Sequence, residues 1–266
     1  MKLPFAQVDA FADRPFTGNP AAVMMVDIWY ADEILQAIAE ENNLAETAFL
    51  IGDPTRQADY HLRWFTPTTE VALCGHATLA SAHMILSHEP NLERVTFRTE
   101  KSGMLEVSRE GAGYAMALPT HRAEPKPLPE ILAALGLESA AATLWHEKDY
   151  ALIVVEDAET VAALAPDFRA LGALGDVLTI VTAPGTTTDV VSRVFAPGAG
   201  IDEDPVTGSA HTVLAPYWAE RLGRDRFTAY QASRRGGLVD CELSSERTIL
   251  RGTCVTVIEG IFAFEC

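Results

Sequence analysis

The sequence contains no run of roughly 18 apolar residues, the length a membrane-crossing helix needs. Its opening, MKLPFAQVDAF, has neither the apolar stretch nor the small-residue cleavage site of a secretion signal. The expectation is therefore a cytoplasmic protein without a membrane partner. Basic residues are scarce, with 20 Lys and Arg against 37 Asp and Glu and a formal charge of −17. That balance excludes a nucleic-acid grip, which needs clustered cations. Only four cysteines occur (Cys74, Cys241, Cys254 and Cys266), and no pair forms a CxxC. They read as reduced and mostly structural, and their spacing predicts no zinc site. No Walker sequence is present, and Gly111-Ala-Gly113 lacks the third glycine of a dinucleotide fingerprint. The economical reading has no cofactor and no metal.

What remains is ample for folding. Hydrophobic residues make up 48% of the 266 and charged residues 21%, so the chain can bury a core. The length suits two domains of about 100–150 residues. Four prolines between Pro119 and Pro129 mark a linker, which predicts domains over 1–120 and 129–266. The last strand of the second can cross back to the first. Asp32 is placed to cap a helix whose apolar face is Ile34, Leu35 and Ile38, with Asn42 and Asn43 at its end. Ala77 to Ser87 is apolar all round, the pattern of a buried helix. Val213 to Leu222 continues a second such helix, and Pro216 predicts that it kinks or starts late.

The halves repeat. Arg63-Trp-Phe-Thr-Pro67 matches Arg193-Val-Phe-Ala-Pro197, and Glu70-Val-Ala-Leu-Cys-Gly-His-Ala77 matches Glu203-Asp-Pro-Val-Thr-Gly-Ser-Ala210. Gly75 and Gly208 lie 133 residues apart, as do Gly103 and Gly236. Three matches in one order at nearly one offset indicate a duplicated domain with approximate twofold symmetry.

Each copy sets a glycine and a polar residue, His76 or Ser209, at the start of an apolar helix. Unpaired N–H groups at a helix start favour an anion, and Gly75 and Gly208 let it approach closely. Two such starts facing a cleft would hold a carboxylate by backbone donors rather than by lysines. The bland alternative is a tight turn with a capping side chain. Glu46 is a lone carboxylate among Leu44, Ala45, Ala48 and Phe49; burial there would suit it to move protons, whereas exposure would make it an ordinary loop acid. Asp204 precedes Ser209 by five residues. It either orients His76, serves as a second acid–base group, or is one more charge in the run Asp202-Glu-Asp204. Cys74 and Thr207 are equivalent positions, and Thr207 rules out a symmetric pair of thiol bases. His83 reads as a core histidine.

Taken together, Gln7-Val-Asp-Ala-Phe11, Phe16-Thr-Gly-Asn-Pro20, Asn43-Leu-Ala-Glu-Thr47, Phe65-Thr-Pro67, Cys74-Gly-His-Ala-Thr78 and Asp204-Pro-Val-Thr-Gly-Ser209 resemble the PhzF-like phenazine-biosynthesis family of the diaminopimelate epimerase superfamily. The resemblance implies an α+β, diaminopimelate epimerase-like fold. Its two pseudo-twofold-related domains each curl a β-sheet or barrel around a central helix. It also implies a cofactor-independent, homodimeric isomerase acting on a small carboxylate-bearing metabolite. The best understood family activity shifts a proton between carbons of a dihydro-hydroxyanthranilate. Glu46 matches the general acid/base. His76, Asp204 and Ser209 match residues around the substrate, with Gly75 and Gly208 in the helix-start loops. Ala45 departs from the serine frequent in the family. The alternatives are an amino-acid epimerase or racemase using Cys74, a weaker Ser209-His76-Asp204 hydrolase, and a non-catalytic metabolite-binding protein on the same scaffold.

Overall fold

Two helices without a polar face organise the chain, because a helix apolar all round must be enclosed by other elements. The computed structural model describes residues 1–265, which fall into two units. The first comprises Met1–Ala117 together with the chain from Arg251, and the second comprises Leu118–Leu250.

In the first unit, β1 (Lys2–Ala10) pairs antiparallel with β2 (Asn19–Met25), which runs parallel to β3 (Glu46–Gly52). Next, β4 (Tyr60–Phe65) pairs antiparallel with β3 and with the short β5 (Glu70–Val71), and parallel with β6 (Arg94–Arg98). β7 (Met104–Glu110) and β8 (Gly113–Pro119) continue antiparallel. α1 (Asp32–Asn42) lies over β3 and β4, and α2 (Gly75–His88) is wrapped by β1, β2, β3, β6 and β7. Leu79 and Leu86 of α2 are wholly buried. Truncating either to Ala would cost about 2–5 kcal/mol through lost transfer energy and the cavity left behind.

The second unit contains β9 (Glu124–Pro125), α3 (Pro129–Leu135), β10 (Ala142–His146), β11 (Tyr150–Val154), α4 (Ala158–Ala163), α5 (Phe168–Gly172), β12 (Leu178–Pro184), β13 (Val190–Ala196), β14 (Ile201–Asp204), α6 (Gly208–Leu222), β15 (Arg226–Gln231), β16 (Gly237–Ser244) and β17 (Arg247–Gly252). Its pairing repeats that of the first unit. β10 is antiparallel to β11, β11 parallel to β12, and β12 antiparallel to β13. β13 is antiparallel to β14 and parallel to β15, which is antiparallel to β16. Here α6 is the enclosed helix, in contact with β11 and β16. Finally β18 (Cys254–Ala263) returns to the first unit and pairs antiparallel along β1.

The sequence repeat is thus a repeat of topology, and the matched motifs are its braces. Arg63 donates Nε to Glu70 Oε1 (2.7 Å) and Nη2 to Glu70 Oε2 (3.0 Å). Arg193 makes the same fork to Glu203, at 2.7 and 3.0 Å. Each guanidinium also covers the phenylalanine two residues on, Phe65 or Phe195.

Several local expectations change. The N-cap of α1 is Ala31, because the Asp32 carboxylate is taken by Arg63 Nη2 (2.9 Å). Asn43 ends that helix in the left-handed region, φ 48°. The proline-rich stretch is not a free linker: Glu124 and Pro125 pair with Trp145 and Leu144 inside the second unit. Helix α6 starts at Gly208 and continues through Pro216. Pro216 has no N–H for the Thr212 carbonyl, and the N–H of His121 takes that place (3.1 Å). Its ring Nδ1 adds a second bond to Thr212 Oγ1 (2.8 Å). Among the described residues, no helix is long and apolar enough to cross a membrane. Cys74, Cys241 and Cys254 are free thiols, and Cys266 lies outside the described residues.

Candidate active site

The start of α2 is a charged cluster. Cys74, in extended conformation, is the N-cap, and Gly75 and His76 are the first two helical residues. His76 therefore does not cap the helix. Its ring is almost fully buried and turns to Glu46, the first residue of β3, with Nε2 3.0 Å from Oε2. The Glu46 side chain is only 12% exposed, so it is not a solvated loop acid. Asn19, the first residue of β2, places Nδ2 3.2 Å from His76 Nδ1, and Cys74 Sγ lies 3.5 Å from the same nitrogen. The cluster thus joins three segments, of which β2 and β3 are adjacent and parallel.

Burial disfavours a charged ring at His76, yet its pKa is held well above the ordinary histidine value, because Cys74 and the Glu46 carboxylate together outweigh the burial. Burial, reinforced by Glu46, pushes the Cys74 thiol up to about 11. The N–H groups of the first turn add partial positive charge at the same place.

Local backbone supports this arrangement. Gly18 has φ 66°, and a Cβ there would lie 2.2 Å from the Ala10 carbonyl oxygen, so the turn before Asn19 requires glycine. Phe16, in the same loop, is held at φ 73° while its N–H donates to Asp9 Oδ2 (2.9 Å). Thr78 donates both N–H and Oγ1 to the Cys74 carbonyl, which fixes the first turn of α2.

The start of α6 is built differently. Thr207 is its N-cap residue, and Gly208 and Ser209 open the helix. The Thr207 hydroxyl donates to the buried Asp204 carboxylate. Gln231, at the end of β15, accepts the Thr207 N–H (2.9 Å) and donates to the Asp204 carbonyl (2.7 Å). Asp204 is therefore unlike its neighbours, since Asp202 is exposed and Glu203 is spent on Arg193. His211 donates Nδ1–H to the Thr207 carbonyl (2.8 Å), and complete burial drives its pKa down to about 4, so the ring is neutral.

The first unit thus brings Glu46, Gly75 and His76 together, and the second brings Asp204, Gly208 and Ser209 together. His83 is the core histidine expected, bonded to the Tyr114 hydroxyl (2.9 Å) and to Thr256 Oγ1 (3.0 Å). The sequence reading does not single out Asn19 or Gln231 as a partner. Asn19 sits in a recognisable Gly-Asn-Pro turn. Gln231 carries no local signal, because its partner Thr207 lies 24 residues away along the chain.

Comparison with known proteins gives these sites a context. The family model described as phenazine biosynthesis-like protein matches residues 8–260. A Pseudomonas aeruginosa protein, named only as an uncharacterized isomerase, is 51% identical over 261 residues, covering 98% of each chain. The crystal structure of a PhzF-family phenazine biosynthesis protein from Enterococcus faecalis superposes with a TM-score of 0.91 at 42% identity, over 99% of this chain and 100% of that one. A hydroxyproline epimerase from Agrobacterium vitis shares the fold alone, with a TM-score of 0.60 at 10% identity over 98% and 92% of the two chains.

Proposed function

The chain belongs to the phenazine biosynthesis-like PhzC-PhzF family, and from that premise we propose that it is an isomerase that shifts a proton between carbons of a small carboxylate-bearing metabolite. The observation that carries this reading is the buried Glu46–His76 pair at the start of α2, with 3.0 Å between Oε2 and Nε2. Glu46 acts as the base, with its Oε2 held 3.0 Å from His76 Nε2. It takes a proton from one substrate carbon and becomes a carboxylic acid. The electron pair left behind shifts the double bond, and the same acid returns its proton to another carbon. Negative charge that develops on the substrate meets fixed N–H donors at the helix start, which need not reorganise.

On the resemblance, Asp204 is assigned to proton handling, and Gly208 and Ser209 to substrate binding. Epimerisation by Cys74 is the less favoured reading, because its thiol is held near 11 and the equivalent residue is Thr207. Homodimerisation and independence from cofactors belong to the proposal as properties implied by the family, and cytoplasmic location as the reading of a sequence without an apolar span or a signal pattern.

The test is a panel of unsaturated and amino carboxylates, including dihydro-hydroxyanthranilate, incubated with enzyme in D2O and followed by proton NMR. The wild type should move a double bond in one class of compound and place solvent deuterium on carbon. Glu46→Gln should fold normally and do neither. Turnover near the wild-type rate in that variant would sink the assignment.

A further inference from the structure

Glu46, Cys74 and His76 offer three different donor atoms, all within 4.8 Å of one another. We propose that these side chains form a capture site for a thiophilic divalent cation, of which Zn2+ is the fitting ion. Among the described residues, no other set of His, Cys, Asp and Glu side chains converges in this way. In a tetrahedral zinc site, ligand distances of about 2.0–2.3 Å put neighbouring donors roughly 3.3–3.7 Å apart. Here His76 Nε2 lies 3.0 Å from Glu46 Oε2 and 4.0 Å from Cys74 Sγ. Shifts of less than about 1 Å in these two separations would reach that geometry.

The donor chemistry selects the ion. One thiolate, one imidazole and one carboxylate suit zinc, whereas magnesium and calcium require shells of oxygen. Binding displaces the thiol proton of Cys74 and one ring proton of His76 to solvent. The bound carboxylate and thiolate then balance the two positive charges of the ion, which makes it tolerable in a buried setting. With Nε2 on the metal, Nδ1 carries the remaining ring proton and faces the Asn19 side-chain amide, which can turn its oxygen to accept it. Three protein ligands leave a fourth position for water. A bound ion occupies the carboxylate of Glu46, so metal capture and proton transfer exclude each other. That consequence rests on the proposed function, but the binding itself does not.

The experiment is a titration of the chelator-treated full chain with Co2+ alone, followed by absorption. The expected result is one-to-one saturation with a thiolate-to-cobalt charge-transfer band, reversed by Zn2+. Losing an outer-sphere partner alone costs about 10–100-fold in affinity. Cys74→Ala should therefore abolish the band and weaken binding at least about hundredfold, and Glu46→Gln should keep the band but weaken binding at least about tenfold. Cys254→Ala should alter neither. Circular dichroism checks folding; should Cys74→Ala unfold, Glu46→Gln decides the question. Absence of saturable binding, a band that survives Cys74→Ala, or unchanged affinity in Glu46→Gln would overturn the proposal. No substrate enters the measurement, so its failure leaves the proton-transfer reading to be judged separately.

Discussion

The two enclosed helices begin alike and are furnished in opposite ways. At α2 the N-cap is a thiol, the second helical residue is a charged histidine, and the facing strand supplies Glu46. At α6 the N-cap is a threonine, the second residue is a serine, and the nearby histidine, His211, is neutral. Around α6 the hydroxyl of Thr207 and the amide of Gln231 are bonded to each other and to Asp204. Duplication has kept the backbone feature that favours an anion, along with the Arg–Glu braces. It has let the side chains diverge, so that one mouth pairs an imidazole with a carboxylate and the other ties a carboxylate to a threonine hydroxyl.

That contrast predicts unequal responses to substitution. The largest effect belongs to Glu46→Gln, for which steady-state assays should show turnover reduced by about 10²–10⁴-fold, the span of general acid–base catalysis. Stability should change little, because the amide fills the same space. The braces make the opposite prediction, of equality. Arg63→Ala and Arg193→Ala each break a bidentate, largely buried fork, and each should cost about 2–3 kcal/mol by denaturant unfolding. A large difference between them would mean that the repeat is not mechanically symmetric.

A smaller effect separates the two N-caps. Thr207→Val keeps the shape but removes the donor to the buried Asp204 carboxylate, which should cost about 2 kcal/mol. Cys74→Ala removes only a weakly bonded sulfur and should cost less in the same unfolding assay.

The gentlest contrast is in pH dependence, where the two units differ in sign. His76 has a raised pKa in the folded state, so its contribution is fully present below about 6.5 and is lost as pH rises through the folded value. His211 has a pKa lowered to about 4, so its contribution is present above about 6.5 and is lost as pH falls toward 4. In stability-against-pH curves, His211→Gln should flatten the acid limb and His76→Gln the alkaline limb.

Much of this was legible in the sequence, for identifiable reasons. The duplication shows because glycines and braces sit in short motifs that survive copying, as at Gly75 and Gly208 or Arg63 and Arg193. Burial of α2 shows because no face of Ala77 to Ser87 is polar. The path of α6 was not legible, since the residue that rescues the helix at Pro216 is His121, far away in the chain. The proline-rich stretch reads as a linker until its pairing with β10 is known. At the site, Glu46 and His76 could be named singly. Their contact depends on how β3 is laid against α2, and no spacing rule encodes that.

The central claim is that Cys74 and Glu46 together hold the pKa of His76 well above 6.5 at one helix mouth, while burial keeps His211 neutral at the other. Titration of the histidine ring resonances by NMR tests it directly. The wild type should keep His76 protonated well above pH 6.5, lose part of that shift in Glu46→Gln, and show His211 neutral down to about pH 4. Loss of the His76 proton at or below pH 6.5 in the wild type, or a His76 titration indifferent to Glu46→Gln, would contradict the account.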